Sequence, residues 1–382
     1  MTALVHKITA LIEEKVHSFE TPCYVFDLAT LTQRIHSLKA ALGTPVVMSL
    51  KANPNIDLNL RIAHSQPEIE VASLRELNLV AKATLGPVYI NNPSMDRNLI
   101  RAGLGAKAHF IVDSPAQLRT IMDLAGTRPV NPLLLRLNAN SLKNFVDKPV
   151  ALRADHFGMD WPTALAAVDT IRSTDGFLKF AGFHIFTGSH TFTKNAFALL
   201  EAAPKMIAVL EQRYGAPLTT INLGGGFSER WDEEEFDFSA YREHLKKIPQ
   251  HVAVLHESGR GFFGTCGVFL TTVVTTKSID DRGYAVCDGG MNQNFLLCQT
   301  ENHFRRPREA IVIRRTATLG VPAGTTTLVG STCSRDDVIG QAIGAPLNVG
   351  DICAFTHCGA YHSTYTVSPF LGLKEAHHYV IP

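Results

Sequence analysis

Short apolar runs rich in β-branched residues recur along the first two thirds of the chain, at residues 46–50, 69–73, 88–92, 110–113, 133–137, 180–186, 219–223 and 252–256. Most are apolar at nearly every position, the pattern of a strand covered on both faces. Segments with helical spacing of apolar residues lie between them, such as 74–83 and 196–214. Eight strands alternating with helices predict an α/β fold, a parallel (β/α)8 TIM-like barrel. A doubly wound open sheet would give similar alternation, so the count suggests the barrel without deciding it.

After Arg260 the texture changes. Runs at 267–276, 283–287, 310–316, 325–329 and 351–355 read as strands with no regular helices between them. They predict a β-domain over 261–382, following a barrel over 28–260. Residues 1–27 are expected to join the β-domain, because the strand-like run 22–26 precedes the first barrel helix. Two domains also suit a chain of 382 residues, which is too long for one ordinary core.

Composition removes some classes of function. With 36 Lys+Arg against 35 Asp+Glu, the chain has no electrostatic footprint for nucleic acid or an anionic membrane. Seven cysteines, odd in number and without a C-x-x-C pair, read as reduced thiols of a cytoplasmic protein. Lys7, Glu13, Glu14 and Lys15 interrupt the N-terminal segment, which therefore does not read as a signal peptide. No apolar run approaches the roughly 20 residues that span a bilayer. His184, His190, His256 and His357 are scattered without metal-site spacing, and structural or hydrogen-bonding roles are expected for them.

A barrel places its chemistry just past the C-terminal ends of its strands. Found there are Lys51, Asn91 and Asn92, Ser189, the triplet Gly224-Gly225-Gly226, and Glu257-Ser258-Gly259-Arg260. A lysine leaving a buried strand can be partly desolvated and free to form a Schiff base; a solvated lysine at a strand end is the plain alternative. Three glycines let backbone N–H groups approach a phosphate, although a tight turn needs glycine too. A carboxylate such as Glu257 can keep a pyridine nitrogen protonated, and Arg260 can hold a phosphate; an ion pair closing the barrel is the other reading. In the β-domain, Cys333 could deliver a proton to a carbanion or be an inert thiol.

Taken in order, these motifs resemble the fold-type III pyridoxal-phosphate enzymes, specifically the diaminopimelate and ornithine decarboxylase family. The resemblance runs from about residue 21 to residue 373 and implies the alanine racemase-like architecture, a barrel followed by a β-domain. It implies pyridoxal 5'-phosphate as cofactor, Lys51 as the Schiff-base lysine, and a phosphate site of Gly224, Gly225, Gly226, Arg260 and Tyr361. Glu257 would pair with the pyridine nitrogen, and Ser189 would lie near phosphate or substrate. Cys333 and Asp337 would reach across a homodimer interface into the partner's site, with Cys333 protonating the carbanion left by CO2.

Three departures bear on the substrate. Phe186 stands where the family has the histidine that stacks on the cofactor ring. Ser334-Arg335 follows Cys333 in place of the glutamate typical of diaminopimelate enzymes, so Arg335 could bind a carboxylate instead of a distal ammonium. After Asp288-Gly289-Gly290-Met291-Asn292 the usual arginine-proline is replaced by Phe295-Leu296-Leu297, leaving Arg305 or Arg306 as substitutes. The resemblance therefore implies a divergent decarboxylase of a specialised pathway, with a citrate-linked diamino acid of siderophore assembly as the candidate substrate. Alternatives are a diaminopimelate, ornithine/lysine or carboxynorspermidine decarboxylase, an amino-acid racemase, and a non-catalytic pyridoxal-phosphate carrier.

Overall fold

The computed structural model describes residues 3–14, 18–66, 68–81, 86–147, 150, 152, 155–298, 307–315, 324–344 and 346–382. It divides into two compact units, Thr32–Phe262 and the combination of Met1–Leu31 with Phe263–Pro382. The first strand, β1 (Cys23–Asp27), belongs to the second of these.

Eight parallel strands close the barrel of the first unit. They are β2 (Val46–Ser49), β3 (Ile69–Val71), β4 (Val88–Asn91), β5 (His109–Val112), β6 (Leu133–Leu137), β7 (Phe180–Ile185), β8 (Thr220–Asn222) and β9 (Ala253–Ser258), with β9 pairing back onto β2. Closure rules out the open sheet. Polar residues after the strands start the following helices: the side chains of Asn55, Ser73, Asp96, Ser114, Asp160 and Asp237 each accept a backbone N–H from the first turn. This is why the run predicted at 69–73 stops as a strand at Val71: Ser73 caps the helix Leu74–Val80. The long helix Phe192–Tyr214 starts one turn before its predicted onset and ends at Gly215, which takes the left-handed conformation of a C-terminal cap (φ +82°).

The barrel interior is layered. Val47, Tyr89, Ile111, Leu134, Ala181 and Leu255 form an apolar cluster. Two residues further along five of these strands stand Ser49, Asn91, Asp113, Arg136 and Glu257, all buried. A period of two keeps both members of each pair on the inner face. Buried Glu70, His184 and Asn222 complete a polar ring with one residue from each strand or the position just after it. On β7 the spacing is three. Its register against β6 slips by one residue at Ala181, where Gly182 (φ +149°) lies so close to β8 that a Cβ would fall 2.0 Å from the Thr220 carbonyl oxygen.

The other unit is a sheet built around β10 (Gly267–Ile279) and β11 (Arg282–Cys287). It continues through β12 (Ile311–Ile313), β13 (Thr325–Val329), β14 (Val338–Ile343), β15 (Ile352–Phe355) and β16 (His377–Ile381). β1 runs antiparallel to β10 and parallel to β16. The helix Ala3–Glu13 packs Leu4, Val5 and Ile8 against Val25, Val268, Leu270 and Ile352. Two strands had no sequence expectation. β14 is interrupted by Gly340, which passes so close to Arg308 that a Cβ would fall 2.4 Å from its carbonyl oxygen, and β16 opens on two histidines.

Candidate active site

Lys51 leaves β2 in a single 3-10 turn, Leu50–Ala52, that lifts its side chain off the strand end. The side chain is 42% exposed, and its Nζ lies 2.5 Å from Glu70 Oε1. Sequence reasoning did not single out Glu70. Its side chain is fully buried, and its other oxygen receives Asn91 Nδ2 at 3.4 Å. Burial, followed by the charge of Glu257, pushes its carboxyl up to about 7.

Glu257, on β9, is the best-supported group of the ring. Asn222 Nδ2 donates to Oε1 at 2.8 Å, and His184 Nε2 lies 3.3 Å from Oε2. Burial would raise its pKa, but the His184 ring, the Lys51 ammonium and a hydrogen bond from Glu70 outweigh that and hold it below the usual carboxylate range. A buried, ionised carboxylate is the group needed to keep a ring nitrogen protonated. Further round the ring, Arg136 Nη1 pairs with Asp113 Oδ1 at 3.0 Å, and its guanidinium lies over the Phe157 ring, 4.4 Å from the centroid. His184 thus has the hydrogen-bonding role expected for it, while its Nδ1 is buried without a partner.

The glycine triplet follows β8. Gly224 N donates to Asn222 Oδ1 at 2.9 Å, and Gly224 accepts from Glu257 N at 2.8 Å. A Cβ on Gly224 would meet Ile185 O at 2.4 Å, one on Gly225 would meet Glu257 O at 2.2 Å, and one on Gly226 would meet Gly188 O at 2.5 Å. The triplet is therefore required by close approach to the ends of β7 and β9 and to the loop after β7. The segments after β7 and β9 carry the remaining barrel candidates. Phe186 is half-buried and Ser189 exposed. Thr191 donates from its backbone N to Gly226 O at 3.1 Å, tying the Ser189 loop to the triplet. Arg260 opens the short helix Arg260–Phe263.

These residues fit pyridoxal phosphate. Lys51 supplies an amine, the turn at Gly224-Gly225-Gly226 brings backbone to the barrel mouth, and Glu257 is a buried carboxylate on the same rim. The fit extends to the orphaned His184 Nδ1, a polar atom within the ring.

Cys333, Arg335, Asp337 and Tyr361 lie in the other unit and are described within it. Cys333 and Arg335 are exposed on the turn between β13 and β14. Asp337 is turned inward instead. Its Oδ1 receives Met291 N at 2.8 Å and Cys298 Sγ at 3.5 Å, and its Oδ2 receives Thr332 N at 3.0 Å and Thr332 Oγ1 at 2.7 Å. The carboxylate fastens the loop after β11 to the Cys333 turn. Tyr361 is half-buried with φ +68°, an unusual conformation for a bulky residue. Arg305 and Arg306 fall outside the described residues.

The sequence profile of the family described as "Pyridoxal-dependent decarboxylase, pyridoxal binding domain" matches residues 28–264. The chain belongs to this family. It is similar to the L-glutamyl-[BtrI acyl-carrier protein] decarboxylase of Niallia circulans, 26% identical over 96% of this chain and 89% of the relative. It is also similar to the diaminopimelate decarboxylase of Haemophilus influenzae, 25% identical over 92% of this chain and 86% of the relative. The fold matches lysine/ornithine decarboxylase from Vibrio vulnificus in complex with putrescine, with a TM-score of 0.81 at 23% identity over 100% of this chain and 99% of that one. The chain is accordingly a pyridoxal-dependent amino-acid decarboxylase with a fold-type III architecture, as the resemblance implied. The racemase and carrier alternatives gain nothing from these relatives.

Proposed function

We propose that this decarboxylase acts on an amino-acid conjugate that presents a carboxylate, and no ammonium group, at its distal end. The observation that carries this reading is the Cys333 turn, where Ser334 and exposed Arg335 replace the acidic residue suited to a distal ammonium. A guanidinium presents paired donors to a carboxylate. A citrate-linked diamino acid of siderophore assembly has this chemistry. The Niallia circulans relative, named for a glutamyl group on an acyl-carrier protein, supports the idea of an amino acid already joined to a larger body.

Pyridoxal phosphate, when bound, supplies the electron sink that accepts the charge left by departing CO2. The chain's residues do the rest. Lys51 holds the cofactor through its amine, and Glu257 keeps a proton on the ring nitrogen. Gly224, Gly225 and Gly226, with Arg260, Ser189 and Tyr361, hold the phosphate, and Phe186 offers an aromatic face to the ring. Cys333 delivers the proton that replaces CO2, and Arg335 orients the distal carboxylate. Asp337 acts one step back, by fixing the turn that carries both. Exposed Cys333 is paired in this reading with a barrel site of a partner chain, in a cytoplasmic homodimer. The seven free cysteines are consistent with that compartment.

Mass spectrometry in D2O tests the reaction, with diaminopimelate, lysine, ornithine, arginine, carboxynorspermidine and a citrate-linked diaminopropionate as substrates. CO2 loss with one deuterium retained at the α-carbon is expected, with the citrate conjugate preferred and Arg335→Ala erasing that preference. Preference for diaminopimelate or a simple diamine precursor overturns the substrate reading. Mixing inactive Lys51→Ala and Cys333→Ala proteins tests the shared site. Random exchange of subunits restores about one quarter of wild-type activity if the two residues come from different chains, and none if they come from the same chain.

A further inference from the structure

The function above leaves Glu70 without a task, yet its carboxylate is ion-paired with the reactive amine. It sits on β3, and Glu257 on β9; these two strands flank β2, which leads to Lys51. Lys51 Nζ lies 2.5 Å from Glu70 Oε1, and the Glu70 carboxyl is within hydrogen-bond reach of Glu257. Two buried carboxyls therefore meet with one ammonium between them and the solvent. Resting on the reading of Lys51 as the cofactor-holding lysine, we propose that Glu70 takes the ammonium proton of Lys51 and keeps it within a carboxyl pair with Glu257. The Lys51 nitrogen would then carry the free lone pair needed to condense with the cofactor's aldehyde, whose oxygen would leave as water.

The step balances with one proton moved. Lys51–NH3+ and Glu70–COO− become Lys51–NH2 and Glu70–COOH, and the bond broken is Nζ–H while the bond formed is Oε1–H. The total charge of Lys51, Glu70 and Glu257 is the same before and after. What changes is its placement: repulsion between two buried carboxylates disappears, and the remaining charge sits on Glu257, where a protonated ring nitrogen needs it. A salt bridge would otherwise hold Lys51 in its unreactive, protonated form.

Among the described residues, the neighbouring groups are neutral or bound elsewhere. Asn91, facing Glu70 from β4, is neutral, and the Arg136 and Asp113 charges are paired with each other. His184 from β7 faces Glu257. Glu76, on the helix Leu74–Val80, lies within electrostatic range of Lys51, but its Oε2 receives Ala72 N at 2.7 Å. Burial and the Glu257 charge push Glu70 up to about 7, so its capacity to accept a proton is lost as pH falls through that value.

The test reads cofactor capture by apo-protein, not turnover. Wild-type apo-protein is mixed with pyridoxal phosphate from about pH 5.5 to 8.5, and the rise of imine absorbance is followed by stopped flow. The capture rate is expected to climb with pH through an inflection near 7. Glu70→Gln should be slower by about 100-fold or more and lose the inflection, and Glu70→Asp should regain part of both. Equal rates and equal pH profiles in wild type and Glu70→Gln overturn the proposal. Should Glu70→Gln fail to fold, infrared titration of the wild-type apo-protein decides: a protonated carboxyl band that disappears through neutral pH is required, and its absence overturns the assignment. Lys51→Ala separates the two levels, since imine formation by that variant would refute the role of Lys51 itself.

Discussion

Asn222 joins Glu257 to the glycine turn through a single amide. Its Nδ2 donates to Glu257 Oε1 at 2.8 Å, while its Oδ1 accepts from Gly224 N at 2.9 Å. The groups read as serving the two ends of the cofactor, ring nitrogen and phosphate, are thus positioned by one buried side chain. Asn222→Ala removes a hydrogen bond to a charged group, worth about 1.5–3 kcal/mol. The expected outcome is a rise of roughly ten- to hundred-fold in the pyridoxal-phosphate dissociation constant, measured by equilibrium titration of apo-protein.

Close approach makes a second prediction. A Cβ on Gly225 would sit 2.2 Å from the Glu257 carbonyl oxygen, so Gly225→Ala must displace backbone on β9. A loss of about 1–3 kcal/mol is expected, seen as a lower midpoint in urea unfolding together with weaker cofactor binding. Gly105 is the control. It ends the helix Arg97–Gly105 with open space around its Cβ position, and Gly105→Ala should leave stability unchanged or raise it by about 0.5–1 kcal/mol.

Asp337 makes a prediction for the other unit. An amide at this position has one acceptor oxygen and presents N–H groups to backbone and hydroxyl donors that now bond a carboxylate. Asp337→Asn should cost about 2–4 kcal/mol in urea denaturation, whereas exposed Arg335→Ala should stay within about 0.5 kcal/mol of wild type. Equal effects would mean that Asp337 has no anchoring role.

His256 sets part of the acid response. It faces away from the site, held between Thr44 Oγ1 and Tyr241 Oη at 2.7 Å each, and burial pushes its pKa down to about 3. The unfolded chain, with an ordinary histidine, binds the extra proton below about pH 6.5, and the folded chain does not. Stability is therefore lost as pH falls from about 6.5 towards 3, at about 1.4 kcal/mol per pH unit from this group. Glu70 acts oppositely between about 4.5 and 7, because its raised value favours the folded state at the acid end. Comparing urea unfolding of wild type and His256→Gln across this range isolates the histidine; a variant with the same acid slope would refute the assignment.

The barrel was legible because its strands are covered on both faces and read as nearly continuous apolar runs, most of them followed by a capping residue such as Ser73 or Ser114. Lys51, Glu257 and the glycine triplet were legible because they stand at strand ends, where polar residues have to be explained. Glu70, Arg136, Asn222 and Asp113 were passed over. Three sit within short strands and Asp113 directly after one, where a lone polar residue looks like an interruption. The available signal was spacing: Asn91, Asp113, Arg136 and Glu257 each follow an inward apolar residue by two positions. The resemblance placed Asp337 beside Cys333 in a shared site; in the structure its carboxylate receives Met291 N and the Thr332 N–H and hydroxyl, a holding role that sequence position does not reveal. β14 and β16 stayed hidden because Gly340 and the pair His377-His378 break the apolar pattern while backbone pairing supplies the order.

The irregularity at Ala181 and Gly182 has a genetic consequence. Substitution on β7 changes one side chain, but loss of a residue past the irregularity, such as Phe183, changes the frame in which the rest of the strand is read. With the pairing up to Gly182 kept, Ile185 would then occupy the place from which His184 meets Glu257. The barrel is therefore more sensitive here to single-codon deletions than to missense changes. The spacing along one strand carries information about the acid–base character of a carboxylate two strands away.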